Sequence, residues 1–522
     1  MITLSMYNGH NACLCILVNG EIVLNWELER FSRIKHDWGY NHKFLSKSLE
    51  ICNLQMSDID ILLTNQQCYG RPPPFSIPST ANSPCVFFDA NGTKSIAINH
   101  HLAHVSSSYF TSPFDEATII TQDGGGDDEN FSTAKGVKNK IELFKTGRVQ
   151  NLASYWSGLT LNNFRLPRLH EWDPGSGAGK IMALAAYGKS DNFIEKDLVE
   201  TMDRGLKPYY TDPNSKAFNN NEDLSDTRSK RSQDVCASLQ SLTEKSLSII
   251  YNDVHKELRS DNLCVAGGLA LNCVANTRAQ SPFKYVHVPP FPNDTGLAVG
   301  MALYHWYHIE GNYKSKKYFS PYLGPIYCRD SVTEQIIKSG LKYEKLSTHK
   351  LANLISKGEI ICFCRGRSES GPRALGHRSI ICLPSRKDIR NIINFKIKKR
   401  EWYRPFAPII LDKFSNDILQ DFHANSPYMT TSAKIKKDWR ETLNGVNHID
   451  NSTRPQIIKE EHDKFMYDLL FQIYKITGIP VVLNTSFNIN EPMVETPEEA
   501  IKTFLNISEV QFLALHDFLV SK

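Results

Sequence analysis

The sequence lacks long apolar runs: no stretch of about eighteen consecutive apolar residues occurs, which argues against a transmembrane helix. Its first ten residues, MITLSMYNGH, lack the basic region, apolar stretch and cleavage site of a secretion signal. No two of its twelve cysteines have the CxxC spacing of a zinc ribbon, so we expect free, buried thiols. These absences predict a cytoplasmic protein without a membrane partner.

Runs of like charge are also scarce, with one exception. The net charge is +4, but residues 365–404 hold twelve Lys and Arg against three acids, so this basic segment carries +9. Its basic residues stand among glycine, proline and apolar residues, as in GRSESGPRALGHRSI and IKKREWYRPFAP. This pattern favours a walled anion pocket with bidentate guanidinium contacts. The alternative is a solvated basic face.

The length of 522 residues exceeds what one hydrophobic core usually supports, so we expect two domains, with three possible. A change in composition around residues 313–325, YKSKKYFSPYLGP, predicts a linker. We therefore predict a first domain at 1–315, a linker and start of the second domain at 316–345, and a second domain at 346–522. Residues 209–230 are polar and predict a surface loop.

The first domain has the pattern of an α/β domain built twice. Residues 1–30 predict a strand, a second strand, a turn at Asn19-Gly20, and a third strand or helix start. The run from Ala117 to Leu143 repeats this plan, with Asp123 and its glycines at the first turn.

Two histidines and two aspartates suggest a metal site. His100 and His104 are four residues apart, so on a helix both imidazoles project from one face. Asp123 ends an apolar run, where we expect it at a strand tip, and Asp294 precedes a small-residue helix. Two imidazoles and two carboxylates favour Fe(II), Mn(II) or Zn(II) with open coordination positions. The alternative is a pair of hydrogen-bonded core histidines.

Glycine-rich turns predict nucleotide contacts. In NLCVAGGLALNCVANTRA, Gly267 and Gly268 follow a short strand and precede a helix, with Asn272 in the same turn. GSGAGKIMALAAYGK places Lys180 near a helix start, but the GxxxxGK[ST] register of a Walker A loop is absent. We expect Lys180 and Asn272 to contribute to nucleotide or substrate binding.

The second domain contains a predicted strand, PVVLNTSFN, and a predicted helix, EEAIKTFLN. Ser486 and Asn488 should lie at the end of the strand, with a hydroxyl and an amide available for ligand contact. The alternative is an ordinary polar strand cap.

Together these motifs resemble a known family. HHLAH, QDGGGD, GKIMALAAYG, AGGLALNC, PNDTGLAVG, GRSESGPRALGHRSI, REWYRPFAP and NTSFN occur in the order seen in nodulation and cephamycin type O-carbamoyltransferases. The resemblance spans nearly the whole chain. It implies an α/β chain with a duplicated N-terminal domain of the actin-like ATPase (ASKHA) superfamily and an α+β, YrdC-like C-terminal domain.

The resemblance also implies an activity. The C-terminal domain would convert carbamoyl phosphate and ATP, with Mg²⁺, into carbamoyl adenylate. This intermediate would move internally to the metal-bearing domain, where the carbamoyl group passes to a hydroxyl of a small molecule or sugar. By resemblance Fe(II) is the favoured metal, with Mn(II) or Zn(II) as alternatives.

Residue roles follow from the same resemblance. His10 matches a histidine near the transfer site that could accept the proton of the acceptor hydroxyl. Residues that match positions holding carbamoyl phosphate, adenylate and phosphates are Arg373, Lys398, Arg404, Arg454, Ser486 and Asn488, with Lys398 and Arg404 in catalytic roles. The metal ligands match His100, His104, Asp123 and Asp294.

Two other classes of protein are alternatives to this one. The first is an RNA-modifying enzyme of the tRNA threonylcarbamoylation type, but the chain lacks an aromatic and basic stacking motif, which disfavours nucleic acid as a partner. The second is a non-catalytic nucleotide-binding scaffold, which the complete set of matched residues disfavours. His377 and Gln122 depart from the residues usual in the family.

Overall fold

The computed structural model describes residues 1–65, 85–88, 93–127, 129–166, 177–203, 223–423 and 426–522. The predicted surface loop at 209–230 lies in large part outside the described residues, as does the start of the GSGAGK segment. No helix in the described ranges is long and apolar enough to cross a membrane.

The strands are β1 (Ile2–Tyr7), β2 (Cys13–Val18), β3 (Glu21–Glu27), β4 (Ile61–Asn65), β5 (Cys85–Phe88), β6 (Lys94–Ile98), β7 (Glu116–Gly126), β8 (Glu129–Val137), β9 (Lys140–Gly147), β10 (Asn262–Ala266), β11 (Tyr285–His287), β12 (Lys342–Lys345), β13 (Ile361–Cys364), β14 (Arg378–Cys382), β15 (Ala407–Leu411), β16 (Leu419–Gln420), β17 (Ala433–Ile435), β18 (Ser452–Thr453), β19 (Gln456–Ile458), β20 (Val481–Ser486), β21 (Phe512–Leu515) and β22 (Phe518–Ser521).

The α-helices are α1 (Leu28–Ser32), α2 (His42–Ile51), α3 (His100–Phe110), α4 (Leu152–Asn162), α5 (Ala178–Leu184), α6 (Asn192–Asp203), α7 (Lys230–Leu258), α8 (Cys273–Arg278), α9 (Leu297–Leu303), α10 (Arg329–Ser339), α11 (Thr348–Ser356), α12 (Ile389–Asn391), α13 (Ser415–Ile418), α14 (Lys464–Thr477) and α15 (Pro497–Leu505). Two π-helical turns follow α9 and α12, at Tyr304–Ile309 and Ile392–Ile397.

The chain divides into two compact units. Unit 1 comprises residues 1–23, 36–41 and 55–319, and unit 2 comprises residues 24–35, 42–54 and 320–522. This division differs from the predicted boundaries of 1–315, 316–345 and 346–522. The chain changes units inside β3, and two segments before residue 55 belong to unit 2 because their tertiary contacts are with the C-terminal part of the sequence.

Unit 1 contains the predicted duplication. One sheet has the order β3-β2-β1-β4-β6-β5, and the other has the order β11-β10-β7-β8-β9. In each, the first strand pairs antiparallel with the second and parallel with the fourth in that half (β1 with β2 and β4; β7 with β8 and β10). The same order therefore occurs twice, with β5 as an added edge strand, which confirms the duplicated actin-like fold class.

Local sequence explains the first hairpin. Asn19 and Gly20 have φ values of 49° and 89°, the left-handed pair that a two-residue hairpin turn requires. β1 and β2 then pair in register from Ile2 with Val18 to Tyr7 with Cys13.

Unit 2 is built on a mixed eight-stranded sheet of order β12-β22-β21-β13-β14-β20-β15-β19, with a three-stranded sheet, β16-β17-β18. Its core contains fully buried apolar side chains such as Cys362, Ile410, Leu483 and Phe504. The predicted strand and helix near the C-terminus are β20 and α15. This is the α+β arrangement predicted for the second domain.

Candidate functional site: a buried metal centre and a cationic cluster

The predicted histidine pair lies on α3. The side chain of Asn99 accepts a hydrogen bond from the Leu102 amide and so caps the helix. Asp127 accepts a further bond from the His100 amide at 2.7 Å. The one-turn spacing places the His100 and His104 ring centroids 4.8 Å apart, and both side chains are buried.

Four buried groups converge at the start of α3. The possible ligand atoms of His100, His104, Asp123 and Asp294 all lie within 4.8 Å of one another. His100 Nε2 is 3.1 Å from Asp123 Oδ2, and His104 Nε2 is 3.4 Å from Asp294 Oδ1. We call this group the metal-ligand cluster. The structure brings together all four residues predicted as ligands.

The carboxylates come from the second half of unit 1. Asp294 begins a 3₁₀ turn that leads into α9. Asp123 was predicted at a strand tip, but it lies within β7, which continues to Gly126. The register of β7 becomes irregular after Gln122. This irregularity turns the Asp123 side chain toward α3. The first half thus supplies both imidazoles and the second half both carboxylates.

The electrostatics of the metal-ligand cluster suit a cation. Burial lowers the pKa of His104, but the nearby carboxylates of Asp123 and Asp294 outweigh burial and raise it to about 9. Burial raises the pKa of Asp123, whereas His100 and His104 hold it well below its usual value. His104 Nδ1 has no hydrogen-bond partner among the described residues, and Nε2 faces Asp294 Oδ1 at 3.4 Å and Asp123 Oδ2 at 3.8 Å. Buried polar atoms without partners are rare, so these donors fit a bound metal ion.

His10 lies beside this cluster. Its Nε2 is 3.4 Å from Asp294 Oδ2, and 28 % of its side chain is exposed, against 1 % for Asp294. The turn that carries His10 is held by residues 36–41, since Ala12 donates to the Asp37 carbonyl and Gly39 to the Asn8 carbonyl, both at 2.9 Å. His10 is therefore the partly accessible member of a buried group.

The predicted glycine turn contacts the same centre. Gly267 has φ of 94°, and a Cβ atom there would lie 2.1 Å from the Gln122 carbonyl oxygen, so only glycine fits. The Gly268 amide donates to Asp123 Oδ1 at 2.7 Å. Thus Gly268 orients a carboxylate of the metal-ligand cluster.

Asn272 and Lys180 have different surroundings. Asn272 caps α8 by accepting from the Ala275 amide, and it exchanges hydrogen bonds with the buried Gln240 at 2.9 and 3.3 Å. Its side-chain amide is thus engaged within the fold. Lys180 lies half-buried in the first turn of α5.

The basic segment contains both buried and exposed residues. Arg365 makes a bidentate ion pair with Asp463 at 2.7 and 3.1 Å. Arg378 is fully buried, 3.5 Å from Glu495. Arg367 donates to two backbone carbonyl oxygens. These three arginines are therefore engaged inside unit 2, whereas Arg386, Lys387, Lys396 and Lys399 are exposed. The walled anion pocket stays a prediction.

Lys398 follows a π-helical turn and points at the end of β20. Its ammonium group donates to the carbonyl and hydroxyl oxygens of Ser486 at 2.8 and 3.2 Å, and to the carbonyl oxygen of Asn488 at 2.8 Å. It also bonds to Asn488 Oδ1. Lys398 thus contacts both Ser486 and Asn488 and fixes the turn that follows β20.

Positive charge accumulates around this turn. Burial lowers the pKa of Lys398 well below its usual value, and Arg400 and Arg404 lower it further. Arg404 is 32 % exposed and 3.6 Å from Glu401, and Arg454 has a buried Nε without a hydrogen-bond partner among the described residues. We call Lys398, Arg400, Arg404 and Arg454 the cationic cluster. Such an excess of positive charge favours an anionic ligand.

Two contributors to the positive charge around Lys398 were not predicted as site residues. Arg400 stacks on Phe406 at 4.6 Å and donates to Asn394, and its charge acts on Lys398. Lys35, from an N-terminal segment that belongs to unit 2, also lowers the pKa of Lys398. The composition of the basic segment signalled Arg400, but nothing local to Lys35 indicated its place.

Arg373 and the two residues atypical of the family were also singled out in the sequence. Arg373 is half-buried in the loop before β14. His377 stacks on Tyr322 with centroids 3.7 Å apart and lies 3.2 Å from Asp463. Gln122 is buried on β7, beside the glycine turn. His377 thus belongs to a packed polar group, apart from the cationic cluster.

Two family models match the chain. The carbamoyltransferase N-terminus matches residues 89–303, and the carbamoyltransferase C-terminus matches residues 352–522. Together these matches cover more than half of the sequence. The chain therefore belongs to the carbamoyltransferase family, an enzyme family, as the motifs predicted.

Related sequences cover similar lengths. An uncharacterized protein of Methanocaldococcus jannaschii is 30% identical, with 99% of each chain covered. An uncharacterized protein of Synechocystis is 32% identical over 81% of this chain and 75% of the relative. The nodulation protein NolNO of Sinorhizobium fredii is 28% identical over 98% of this chain and 79% of its own length.

Similarity to solved structures is low over the whole chain. The activator of a 2-hydroxyisocaproyl-CoA dehydratase from Clostridium difficile, solved with bound ADPNP, has a TM-score of 0.33 at 16% identity, covering 59% of this chain and 94% of that chain. HypF from T. kodakarensis has a TM-score of 0.36 at 12% identity, covering 61% and 49%. The fold class therefore rests on the strand order of unit 1.

Proposed function

We propose that this carbamoyltransferase forms carbamoyl adenylate in unit 2 and transfers the carbamoyl group to an acceptor hydroxyl in unit 1. The observation that carries the proposal is the cationic cluster around Ser486 and Asn488, because adenylation of a carbamoyl group requires fixed positive charge beside phosphates. Membership of the carbamoyltransferase family identifies the transferred group as a carbamoyl group.

The first half-reaction forms carbamoyl adenylate. Water cleaves carbamoyl phosphate to carbamate and phosphate, and a carbamate oxygen then attacks the α-phosphorus of ATP, bound with Mg²⁺, and releases pyrophosphate. Arg404 and Arg454 would neutralise the phosphates. Lys398 holds the turn that carries Ser486 and Asn488, and the Ser486 hydroxyl also donates to Asn488 Oδ1 at 2.8 Å. The carbamoyl moiety would bind beside this turn. Arg373 would add a further guanidinium contact.

The second half-reaction takes place beside the metal-ligand cluster. The acceptor oxygen attacks the carbamoyl carbon and AMP leaves. His10 accepts the proton of the acceptor hydroxyl, and Asp294, 3.4 Å away, stabilises the imidazolium that forms. Gly267 and Gly268 let the nucleotide approach the backbone, with Asn272 shaping that turn, and Lys180 would contact its phosphate.

A metal ion would be held by His100, His104, Asp123 and Asp294, with Fe(II) favoured and Mn(II) or Zn(II) as alternatives. When bound, such an ion supplies a Lewis acid that polarises a carbonyl or phosphoryl oxygen. The acceptor is a hydroxylated small molecule or a sugar.

Separating the two half-reactions tests the proposal. Arg404→Ala should reduce carbamoyl-phosphate-dependent pyrophosphate release from ATP by at least about a hundredfold, because one charged contact to the transition state is lost. His104→Ala should leave this release intact and block transfer to the acceptor. Mass spectrometry of a panel of hydroxylated metabolites, incubated with labelled carbamoyl phosphate and ATP, would detect transfer as the gain of one carbamoyl unit.

Matched controls are available in the same units. Arg386→Ala removes a guanidinium from the same basic segment, but one that pairs with Asp388 near the surface, so pyrophosphate release should be unchanged. His305→Ala removes a fully buried imidazole of unit 1 that lies 3.5 Å from Glu310, outside the metal-ligand cluster, so transfer to the acceptor should persist. Equal loss of pyrophosphate release in Arg404→Ala and His104→Ala would contradict the division of labour.

A further inference from the structure

Both carboxylates of the metal-ligand cluster are held in the same way. Asp123 accepts a hydrogen bond at Oδ1 from the Gly268 amide and presents Oδ2 to His100 at 3.1 Å. Asp294 accepts a hydrogen bond at Oδ2 from the Tyr7 hydroxyl at 2.6 Å and presents Oδ1 to His104 at 3.4 Å. In each case one oxygen accepts a hydrogen bond from the protein and the other faces an imidazole of α3. Asp294 Oδ2 also lies 3.4 Å from His10 Nε2.

Tyr7 is built into this position. It ends β1 and is 1 % exposed, although it carries a hydroxyl group. The turn after it contains Gly9, where a Cβ atom would lie 2.2 Å from the Tyr7 hydroxyl oxygen. The Tyr7 ring also meets the His100 ring edge to face, with centroids 6.1 Å apart. The small residue at position 9 therefore leaves room for the phenol between the turn and the cluster.

We propose that Tyr7 is a positioning residue for the metal ion, acting through Asp294. By donating to Oδ2, the phenol fixes the carboxylate rotamer and restricts Asp294 to binding through Oδ1. Hydrogen bonds from outside the ligand set commonly change metal affinity by about 10–100-fold. This proposal rests on the metal site of the proposed function, and it concerns metal affinity, which can be measured without acceptor, ATP or carbamoyl phosphate.

Metal titration of the full chain tests the proposal. After chelator treatment, binding of Mn(II) is followed by the electron paramagnetic resonance signal of the free ion, and binding of Co(II) by its visible absorption. Tyr7→Phe keeps the ring and removes the hydroxyl, so affinity should fall by about 10–100-fold and the Co(II) spectrum should change. Tyr251→Phe is the matched control, because Tyr251 is equally buried in unit 1 and its hydroxyl has no hydrogen-bond partner among the described residues.

A double variant shows whether Tyr7 acts through Asp294. In an Asp294→Asn background, Tyr7→Phe should add little further loss, because the carboxylate it orients is absent. Unchanged affinity in Tyr7→Phe would overturn the proposal, as would an equal loss in Tyr251→Phe or full additivity with Asp294→Asn. Failure of the wild-type chain to bind either ion would overturn it together with the metal site. Pyrophosphate release is a separate readout of the adenylate-forming reaction.

Discussion

Lowering the pH should weaken metal binding at the metal-ligand cluster, because a proton competes with the ion for His104. Asp123 and Asp294 outweigh burial and raise the pKa of His104 to about 9. A metal ion requires the neutral imidazole, so below about pH 9 it must displace a proton. Each pH unit then costs about 1.4 kcal/mol, or a factor of ten in affinity. Affinity should rise roughly a hundredfold between about pH 6.5 and pH 8.5.

Anaerobic titration with Mn(II) across this pH range would measure the effect, and calorimetry in buffers of different ionisation enthalpy would count the protons released. His10 also contacts Asp294, so a His10→Asn variant separates its contribution, and the slope should persist in that variant. His101, the neighbour on α3, should release none, because burial lowers its pKa to about 3. A flat affinity profile without proton release would refute the reasoning.

Three further variants test the surroundings of the two sites. Gly267→Ala should destabilise unit 1 by more than about 2 kcal/mol in urea unfolding, because its φ of 94° and a backbone oxygen 2.1 Å from the new Cβ both oppose alanine. Gly311→Ala is the control: its φ is 80° but nothing lies within 4 Å of the new Cβ, so it should show only the part of the destabilisation that comes from backbone strain. Asp463→Ala should cost unit 2 about 3–5 kcal/mol in urea unfolding by leaving Arg365 unpaired. Burial raises the pKa of Asp463, but Arg365 and His377 outweigh burial and lower it below the ordinary value of 3.8. The stabilisation should therefore be present above pH 3.8 and be lost as the pH falls from 3.8 through the lowered pKa. Ser486→Ala should reduce pyrophosphate release about tenfold by loosening the hold of Lys398 on the turn.

The sequence predicted well those features that depend on local pattern. The Asn19-Gly20 turn required left-handed backbone and was confirmed, as were the repeated strands after Ala117. The spacing of His100 and His104 sufficed to place both imidazoles on one helical face. Turn chemistry and helical period are short-range properties, so a single sequence carries them.

Features that depend on distant contacts were not predicted. Residues 24–35 follow the first hairpin, yet they belong to unit 2, where Arg33 donates to the carbonyl oxygens of Pro492 and Met493 at 2.7 Å. No local pattern indicates a partner more than 450 residues away. Tyr7 was missed for a related reason, since a tyrosine ending a strand has the pattern of an ordinary core residue.

The origin of the ligands in opposite halves of unit 1 has a mechanical consequence. His100 and His104 belong to the first repeat, whereas Asp123 and Asp294 belong to the second. An ion shared by all four would act as a cross-link between the repeats. Removing the ion should then speed amide hydrogen exchange in α3 and α9 together. The rigidity of unit 1 would thus depend on whether the metal is bound.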